Sequence, residues 1–562
     1  MLKNCVQCST SFDFGDAERA FMKKVQFIFG ETTVHLAEPT QCPRCRMLIR
    51  VSNRNENNLY RNTSAQSGES IISIYAPEPL WGSPYKVYTQ EQWNADTFDA
   101  TTFGCDVDLD KPFFEQFSSL SKVVPHMAVV TVSNENCDYT TGTGYCKNCY
   151  LINSSEHCID CYYGKLYQNC NDVTDSAYMY DSELCYECFS MHGCTRCSFV
   201  SFSKNSHDCM FSADLQGCKN CFLCANLSQK EYHFKNQPLS KDAYETMVND
   251  VLGSHATFES MKQEYRALLE RKIWKAANII QSEDCSGDYI ENSRHCHHCY
   301  DMTDSQDCGY VQVGVNAKDC WHCSNIYLKP ELCYETLGTI EAYNCAYCLY
   351  VFHSQNMLYC EHCYSCLDCF GCSGLRRKQY CIFNKQYAKE EYVKIVPMII
   401  EKMKLRKEWG QFFPPKFSSF GYNESVAQEY APMTKEDATA LGFLWREQRD
   451  EPPNVSRIIR AEDLPDRLAD IPDEVIDWAI ACEESGRPFR ILKKELEFYR
   501  SQGIPLPHLH PPVRYKKRMN MRNPRTLYER TCAKCNNPIT TTFAPNRPEI
   551  VYCEKCYLKE VY

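Results

Sequence analysis

The sequence predicts a mainly β protein with helical inserts, organised as a two-part, cysteine-rich parallel β-solenoid with a zinc module at each end. Three observations lead to this fold class. Cysteine accounts for 39 of 562 residues, a level close to that of crosslinked or metal-bound scaffolds. Leading cysteines recur about every 12 residues through two long blocks, and so short a period indicates a solenoid. Paired CxxC motifs stand near both ends of the chain.

Composition and charge exclude several classes of protein. Apolar residues make up 44% of the chain, which is enough for a sizeable core and too much for a disordered protein. The net charge is −11, so the chain as a whole is not a polycation that seeks nucleic acid. We find no signal peptide and no apolar stretch of about 18 residues, and we expect no membrane partner. The default expectation is a cytoplasmic protein whose thiols stay reduced.

The repeat occupies two blocks, residues 136–239 and 284–386. Between the cysteines the blocks are rich in Tyr, Ser, Asn and Asp, which favours short strands and tight turns. We therefore predict one short strand and one corner in each repeat. The leading cysteines are Cys146, Cys158, Cys170, Cys185, Cys194, Cys209 and Cys218, then Cys296, Cys308, Cys320, Cys333, Cys345, Cys360, Cys369 and Cys381.

The two blocks are also copies of one another. The run Cys218-Lys-Asn-Cys221-Phe-Leu-Cys224 matches Cys366-Leu-Asp-Cys369-Phe-Gly-Cys372, and Asn236 matches Asn384 at the same offset of 148 residues. Each block ends in a predicted helix start with acidic residues in its first turn. One departure is Met357, which stands where the first copy has Cys209.

The rest of the chain divides by composition. We assign 1–50 to an N-terminal zinc module, 51–135 to a mixed strand and loop region, 240–283 to a helical insert, 387–410 to a helix, 411–530 to a Pro-rich mixed region with helices, and 531–562 to a C-terminal zinc module. Within 411–530, residues 471–480 and 489–499 have helical patterns.

Both ends are predicted to bind structural zinc. Two CxxC pairs supply four thiolates, the donor set that suits tetrahedral zinc. At the C-terminus 17 residues separate the pairs, within the range of about 15–20 that is typical of zinc sites, and we expect a β-hairpin between them. The N-terminal gap is longer, and four buried free thiols are the alternative. The candidate ligands are Cys5, Cys8, Cys42 and Cys45 at one end and Cys532, Cys535, Cys553 and Cys556 at the other.

The interior cysteines allow several interpretations. Stacked strands lie about 4.8 Å apart, so sulfur atoms on adjacent rungs can share a zinc ion. The thiols can instead fill a narrow core as small apolar groups, pair as disulfides or, less fittingly, hold an iron–sulfur cluster. The interior candidate ligands are Cys146, Cys149, Cys158, Cys161, Cys185, Cys188, Cys194, Cys197, Cys218, Cys221, Cys296, Cys299, Cys320, Cys323, Cys345, Cys348, Cys360, Cys363, Cys366 and Cys369.

A basic patch precedes the C-terminal module. Clustered cations with interleaved Tyr515 and Tyr528 can grip phosphate and stack bases, which makes nucleic acid a candidate partner. The alternative is solvated surface on an acidic protein. The patch consists of Arg514, Lys516, Lys517, Arg518, Arg522 and Arg525.

Enzyme motifs are absent from the sequence. It contains no GxxxxGK[ST], GxGxxG, GxSxG or HExxH pattern, and closed four-thiolate sites have no open position for a substrate. We infer no catalytic residue and no small-molecule substrate, and the sequence leans toward a non-catalytic protein.

The N-terminal segment carries Cys5-x2-Cys8, Phe12, Phe14 and Pro39-Thr-Gln-Cys42-Pro-Arg-Cys45-Arg46, and in this pattern it resembles the treble-clef zinc-ribbon module. Over nearly all of its length the chain resembles an uncharacterised bacterial cysteine-repeat family that carries this module and a C-terminal zinc ribbon. The resemblance implies zinc ribbons at both ends and leaves the function open. It rests further on Arg54-Asn-Glu56, Val123-Val-Pro125, Asn134-Glu-Asn136, Phe383-Asn-Lys385, Phe412-Phe-Pro-Pro415, Phe420-Gly-Tyr-Asn-Glu424, Ala427-Gln-Glu-Tyr430, Glu497-Phe-Tyr-Arg500 and Thr541-Thr-Phe-Ala-Pro545.

Taken together, the sequence predicts a zinc-stabilised, non-catalytic scaffold that binds a macromolecule, with a protein as the expected partner. Two alternatives belong to other classes. One is a nucleic-acid-binding protein that uses the basic patch, and the other is an iron–sulfur or thiol redox protein.

Overall fold

The computed structural model describes residues 1–78, 84–447 and 453–561. Within these residues the chain is mainly β with helical inserts, as predicted. Two large sheets of 14 and 15 strands contain most of the strands. Neighbouring strands in both sheets run parallel, apart from one antiparallel hairpin strand at the end of each.

The two cysteine blocks form the two large sheets. The first sheet consists of Thr131–Val132, Thr141–Gly144, Tyr150–Glu156, Tyr162–Gln168, Asn171–Thr174, Ala177–Tyr180, Glu183–Tyr186, Phe189–His192, Ser198–Lys204, Met210–Gln216, Lys219–Phe222, Ala225–Ser228, Glu231–Phe234 and Gln237–Pro238. The second consists of Ile279–Ile280, Gly287–Glu291, Arg294–His297, Cys299–Thr303, Gln306–Gly309, Gln312–Val315, Cys320–Trp321, Ser324–Tyr327, Cys333–Ile340, Ala346–Phe352, Gln355–Leu358, Glu361–Tyr364, Leu367–Phe370, Cys381–Ile382 and Lys385–Gln386.

Smaller sheets and helices surround these two. The small sheets pair Leu2–Asn4 with Ser11–Asp13, Gln26–Phe29 with Thr32–His35, Tyr60–Thr63 with Ser70–Ser73, Val87–Tyr88 with His126–Met127, Ile273–Lys275 with Ile550–Tyr552, Tyr528–Thr531 with Pro538–Thr541, and Trp478–Ala481 with both Arg457–Arg460 and Pro488–Phe489. The α-helices are Asp16–Lys24, Pro43–Val51, Gln90–Asn94, Phe113–Val123, Lys241–Val251, His255–Arg271, Lys389–Leu405, Val426–Tyr430, Lys435–Ala440, Lys493–Gln502, Pro511–Met519 and Glu554–Val561. The 3-10 helices are Ala100–Phe103, Pro415–Phe417, Tyr422–Glu424, Ala461–Asp463, Leu468–Asp470 and Asp473–Asp477.

The strand register explains the sequence period. Ser198 pairs with Met210, and Met210 pairs with Phe222. In the second sheet Cys296 pairs with Cys308. The chain therefore returns to the neighbouring position of the sheet after about one sequence repeat, and the recurring cysteines lie beside one another in adjacent rungs.

Each repeat turns several times, so the predicted single strand and single corner are wrong. Every third residue of the repeat has a positive φ, as at Asn148, Leu151, Ser154, His157 and Asp160 with values of 54°, 51°, 50°, 53° and 51°. The residue after each of these corners is buried: Cys149, Ile152, Ser155, Cys158 and Cys161. Because a corner separates them, residues i and i+3 point to the same side, which they would not do in one extended strand.

The corners account for the many Asn and Asp residues of the repeat. These residue types tolerate the left-handed region better than other non-glycine residues do. Their side chains also bond between rungs, since the Asn344 amide donates to Asn356 at 2.9 Å and the Asn356 amide donates to Asp368 at 2.9 Å. Polar corners therefore form ladders along the outside of the sheets.

The two blocks end in the same way. The amide of Asn236 bonds the backbone N–H and C=O of Ala225 at 3.0 and 2.9 Å. The amide of Asn384 does the same to Ser373 at 2.9 and 2.7 Å. Each asparagine thus caps the last rung of its block in place of a further strand, and the internal duplication is visible in the structure.

Helices follow each block where the sequence predicts them. Lys241–Val251 and His255–Arg271 follow the first sheet, and Lys389–Leu405 follows the second. In the described ranges no helix combines the length and the apolar character needed to cross a membrane. The helix predicted over 471–480 is wrong, because the 3-10 turn Asp473–Asp477 leads into a strand there. The helix predicted over 489–499 begins and ends later, at Lys493–Gln502.

Candidate metal centres

The N-terminal centre is formed by a turn between two strands and by the start of a helix. Cys5 and Cys8 lie in the turn between Leu2–Asn4 and Ser11–Asp13, and Cys42 is the N-cap of the helix Pro43–Val51. The backbone N–H of Cys45 donates to the Cys42 sulfur at 3.5 Å. All four Sγ atoms lie within 4.8 Å of one another, and those of Cys8 and Cys42 are 3.7 Å apart.

The C-terminal centre is assembled in the same manner. Cys532 and Cys535 lie in the turn between Tyr528–Thr531 and Pro538–Thr541, and the Cys553/Cys556 pair spans the start of the helix Glu554–Val561. The four Sγ atoms again lie within 4.8 Å of one another, with those of Cys535 and Cys553 3.8 Å apart. The Cys553 backbone N–H donates to the Cys532 sulfur at 3.3 Å.

One prediction about this centre is wrong. A hairpin was expected between the two cysteine pairs, formed within residues 538–552. Instead, Pro538–Thr541 pairs backward with Tyr528–Thr531, and Ile550–Tyr552 pairs in parallel with Ile273–Lys275. This pairing attaches the C-terminal module to the segment that follows the helices of the insert.

Both centres have the dimensions of a tetrahedral thiolate site. Sulfur–metal bonds of about 2.3 Å in a tetrahedron place sulfur atoms about 3.8 Å apart. The Cys8–Cys42 and Cys535–Cys553 sulfur separations, 3.7 and 3.8 Å, agree with this value. Two groups of four cysteines can therefore hold metal ions, and each would be coordinatively closed by its own protein ligands.

Hydrogen bonds prepare the sulfur atoms for metal binding. The hydrogen bond with the Cys45 thiol lowers the pKa of Cys42 to about 5. Burial opposes ionisation of Cys532, but backbone hydrogen bonds from Cys553, Cys535 and Lys534 outweigh it and lower the pKa of Cys532 to about 6. In each centre, hydrogen bonds thus favour the thiolate form of one sulfur, the form that binds metal.

The interior cysteines are arranged differently. In the described ranges, the two terminal groups are those whose ligand atoms all approach within 4.8 Å. The interior candidates are all buried, and their sulfur atoms lie against backbone carbonyl oxygens, as Cys146 does to Gly144 at 3.3 Å and Cys188 to Cys197 at 3.3 Å. Burial raises the pKa of Cys170 and of Cys194 to about 11. Hydrogen bonds with neighbouring cysteines act the other way at Cys146 and Cys366 and lower their pKa values to about 3 and about 4.

All 39 cysteines are free thiols in the structure. The interior CxxC spacing follows from the corner after every third residue, which makes i and i+3 successive inward positions. Interior metal binding stays a prediction, since the inward sulfurs form rows along the sheets and not compact groups of four.

The basic patch lies largely inside the molecule. Arg514 and Arg518 are 3% and 2% exposed and bind Asp175, at a corner between two strands of the first sheet, with Arg518 also 2.9 Å from Glu187. Arg522 and Arg525 bind Asp301 of the second sheet. We call these residues the arginine clasp: Arg514, Arg518, Arg522 and Arg525 with Asp175, Glu187 and Asp301.

The arginine clasp joins the two large sheets through one short segment of chain. Arg522 stacks on Tyr178 of the first sheet and on Tyr289 of the second, with its guanidinium 4.3 and 4.4 Å from the two ring centres. Lys516 and Lys517 stay exposed, and Lys517 pairs with Glu484. The sequence held a signal for this arrangement that the prediction missed, namely the acidic residues inside the two repeats.

A second arginine network attaches the N-terminal centre to the second sheet. Arg46, directly after the ligand Cys45, lies 2.9 Å from Glu18 and donates to the Tyr334 hydroxyl at 2.6 Å. Arg50 lies 2.7 Å from Glu335. The helix that begins at the candidate ligands Cys42 and Cys45 is therefore held against the sheet by buried ion pairs.

Comparison with known proteins adds little. No protein-family model matches the chain, and no curated protein matches it. A solved structure entitled "putative acetyltransferase from Desulfovibrio desulfuricans G20" is 11% identical, covers 43% of this chain and 63% of that chain, and has a TM-score of 0.10. At that TM-score the similarity carries no argument about fold or function.

Proposed function

We propose that the protein is a non-catalytic scaffold, stabilised by a structural zinc ion at each end, that presents its surface to a protein partner. The observation that carries the proposal is the pair of four-cysteine groups with tetrahedral dimensions. Each group is closed by its own ligands, and a closed thiolate site stabilises a fold without opening a position for substrate. The shared design of a strand–strand turn plus a helix start supports a treble-clef type of module at both ends.

The body between the two ends is proposed to be a pair of β-solenoids. Parallel pairing at the repeat distance, a corner after every third residue and an asparagine cap at the end of each block all support this architecture. A solenoid offers a long, rigid surface for a partner. The arginine clasp supports the same role, since it fixes the two halves to one another.

The interior cysteines are proposed to be reduced, metal-free core residues. Their sulfur atoms fill the narrow interior and satisfy backbone carbonyls, as small, weakly polar groups can. Serine shares this role: Ser182 and Ser206 occupy the positions one repeat before and after Cys194, and all three donate to the carbonyl two residues earlier, at 2.8, 3.0 and 3.4 Å. Because serine occupies the same position in adjacent repeats, this position does not require a metal-binding thiolate.

Metal content per chain tests this proposal. We expect about two zinc ions in protein purified under reducing conditions, and one in the variant with Cys532→Ser and Cys535→Ser. The matched control carries Cys194→Ser and Cys197→Ser, the same motif inside the first block, and should keep both ions. A wild-type chain without bound metal, or an interior control that loses metal, would overturn the proposal.

A further inference from the structure

An open groove runs along the helical insert that follows the first sheet. It has a volume of about 650 Å³ and lies between the helices Lys241–Val251 and His255–Arg271. Its floor is apolar, with Phe234, Met247, Val251 and Met261, and two carboxylates, Asp242 and Asp250, stand along one side. Methionine side chains adapt to different apolar partners, which is why they recur at surfaces that bind helices.

The two carboxylates have no cationic partner among the described residues. The lysines around the groove are already paired, Lys235 with Glu264 at 2.5 Å and Lys262 with Glu259 at 2.6 Å. Asp250 stands in the last turn of its helix, which contains no basic residue. A negative charge at that end of a helix opposes the helix dipole, so Asp250 stays there at a cost to the stability of the helix.

The spacing of the groove residues matches a third helix. Asp242 and Asp250 are eight residues apart on one helix, which separates them by about 12 Å. Met247 lies between them in the chain, Val251 directly follows Asp250, and both side chains line the groove. A helix laid in such a groove contributes apolar residues at i, i+3 or i+4, and i+7, and basic residues about two turns apart would meet the two carboxylates.

We propose that this groove binds an amphipathic helical segment of a protein partner that carries basic residues, about two turns apart, along one side of its apolar stripe. The inference rests on the proposed scaffold function and gives that scaffold a partner of defined chemistry. The groove supplies the apolar contact area, and Asp242 and Asp250 select the charge of the partner. The apolar floor alone would accept any amphipathic helix, so the carboxylates make the prediction specific.

The test uses a panel of synthetic, fluorescein-labelled helices with one apolar stripe and either lysine or glutamate flanks. We expect fluorescence anisotropy to show binding of the lysine-flanked helices by the full-length protein, weakened by added salt. The variant Asp242→Asn with Asp250→Asn should bind about tenfold more weakly, since two exposed charge pairs are lost. The matched control Glu401→Gln, on the helix that follows the second block, should bind like the wild type.

Several results would overturn the inference. The inference is wrong if no lysine-flanked helix binds, or if lysine-flanked and glutamate-flanked helices bind equally well. It is also wrong if the double Asp variant binds lysine-flanked helices with unchanged affinity. Self-association through the groove, seen as dimers that the peptide does not compete away, would assign it to a second copy of the chain. A thermal melt shows that the Asp variant is folded, and we expect Asp250→Asn alone to raise the melting temperature slightly. Metal content is measured on the same sample. A chain that holds about two zinc ions but binds no lysine-flanked helix refutes the groove inference and leaves the scaffold proposal standing.

Discussion

The terminal and the interior cysteines share one motif and differ in geometry. At the ends, each CxxC spans a turn or a helix start, and two distant pairs converge until their four sulfur atoms lie within 4.8 Å. In the repeat, each CxxC spans one left-handed corner, and its sulfurs join rows of inward side chains. The same CxxC spacing thus arises from two different backbone conformations. The motif alone does not define a metal site; convergence of two pairs does.

The strongest test of this difference removes one cysteine pair from a terminal centre and one from the repeat. Cys42→Ser with Cys45→Ser should release one metal ion per chain and unfold the N-terminal module, because zinc binding supplies about 10 kcal/mol or more to such modules. Limited proteolysis should then cut within residues 1–50. Cys194→Ser with Cys197→Ser should leave both the metal content and the proteolysis pattern unchanged. Equal effects of the two variants would contradict the comparison.

The next effect concerns the arginine clasp, which holds the body together without metal. Arg514→Met leaves Asp175 buried without its main partner and should cost about 3–5 kcal/mol in the free energy of unfolding. Urea melts should show the same loss with and without a chelator, because the clasp contains no metal ligand. Combining the change with Asp175→Asn should recover part of the loss. A loss that disappears after chelation would show that the clasp depends on metal bound at the terminal cysteine centres.

Acid should weaken a histidine contact that is also independent of metal. Burial and the stacked His508 ring, 3.5 Å away between ring centres, lower the pKa of His255 to about 4. Because the folded pKa lies below the unfolded value of about 6.5, stability is lost as the pH falls from about 6.5 to 4, by up to about 3 kcal/mol. The difference between wild type and His255→Asn in melts across this range isolates the contribution. A difference that is independent of pH would refute the assignment.

The smallest expected effect comes from a single interior sulfur. Cys194→Ser should cost less than about 1.5 kcal/mol, since Ser182 and Ser206 fill the equivalent positions of the adjacent rungs and make the equivalent hydrogen bonds. Cys194→Leu should cost more, because the interior has no room for extra methylene groups. Denaturant melts of the two variants compare them directly. A serine variant less stable than the leucine variant would show that the sulfur does more than fill space.

Sequence periodicity predicted much of this fold because its cause is local and repeated. The cysteine positions predicted the 12-residue repeat. Together with Asn236 and Asn384, they also predicted the duplication at an offset of 148 residues and the helix after each block. The C-terminal centre was predicted because 17 residues separate its two CxxC pairs, a spacing typical of zinc sites. The number of corners was not predicted, because many corner residues, such as Tyr163 and Leu166, are not the Asn, Asp or Gly that the left-handed conformation favours.

Long-range pairing explains what the sequence did not show. Arg514 and Arg522 read as a basic surface patch because their partners, Asp175 and Asp301, lie more than 200 residues away in the repeats. The strand Ile550–Tyr552 likewise finds Ile273–Lys275 across the whole second block. Such contacts depend on how the two halves stack, which local composition does not report.

Residue-resolved thiol alkylation before and after native chelation tests the central claim most directly. Cys105, which is exposed, serves as the reactive control in both conditions. We predict that chelation makes the eight terminal cysteines reactive and leaves interior cysteines such as Cys197 and Cys333 protected until the chain is denatured. Interior cysteines that become reactive together with the terminal ones, or terminal cysteines that react fully before any chelator is added, would contradict the account.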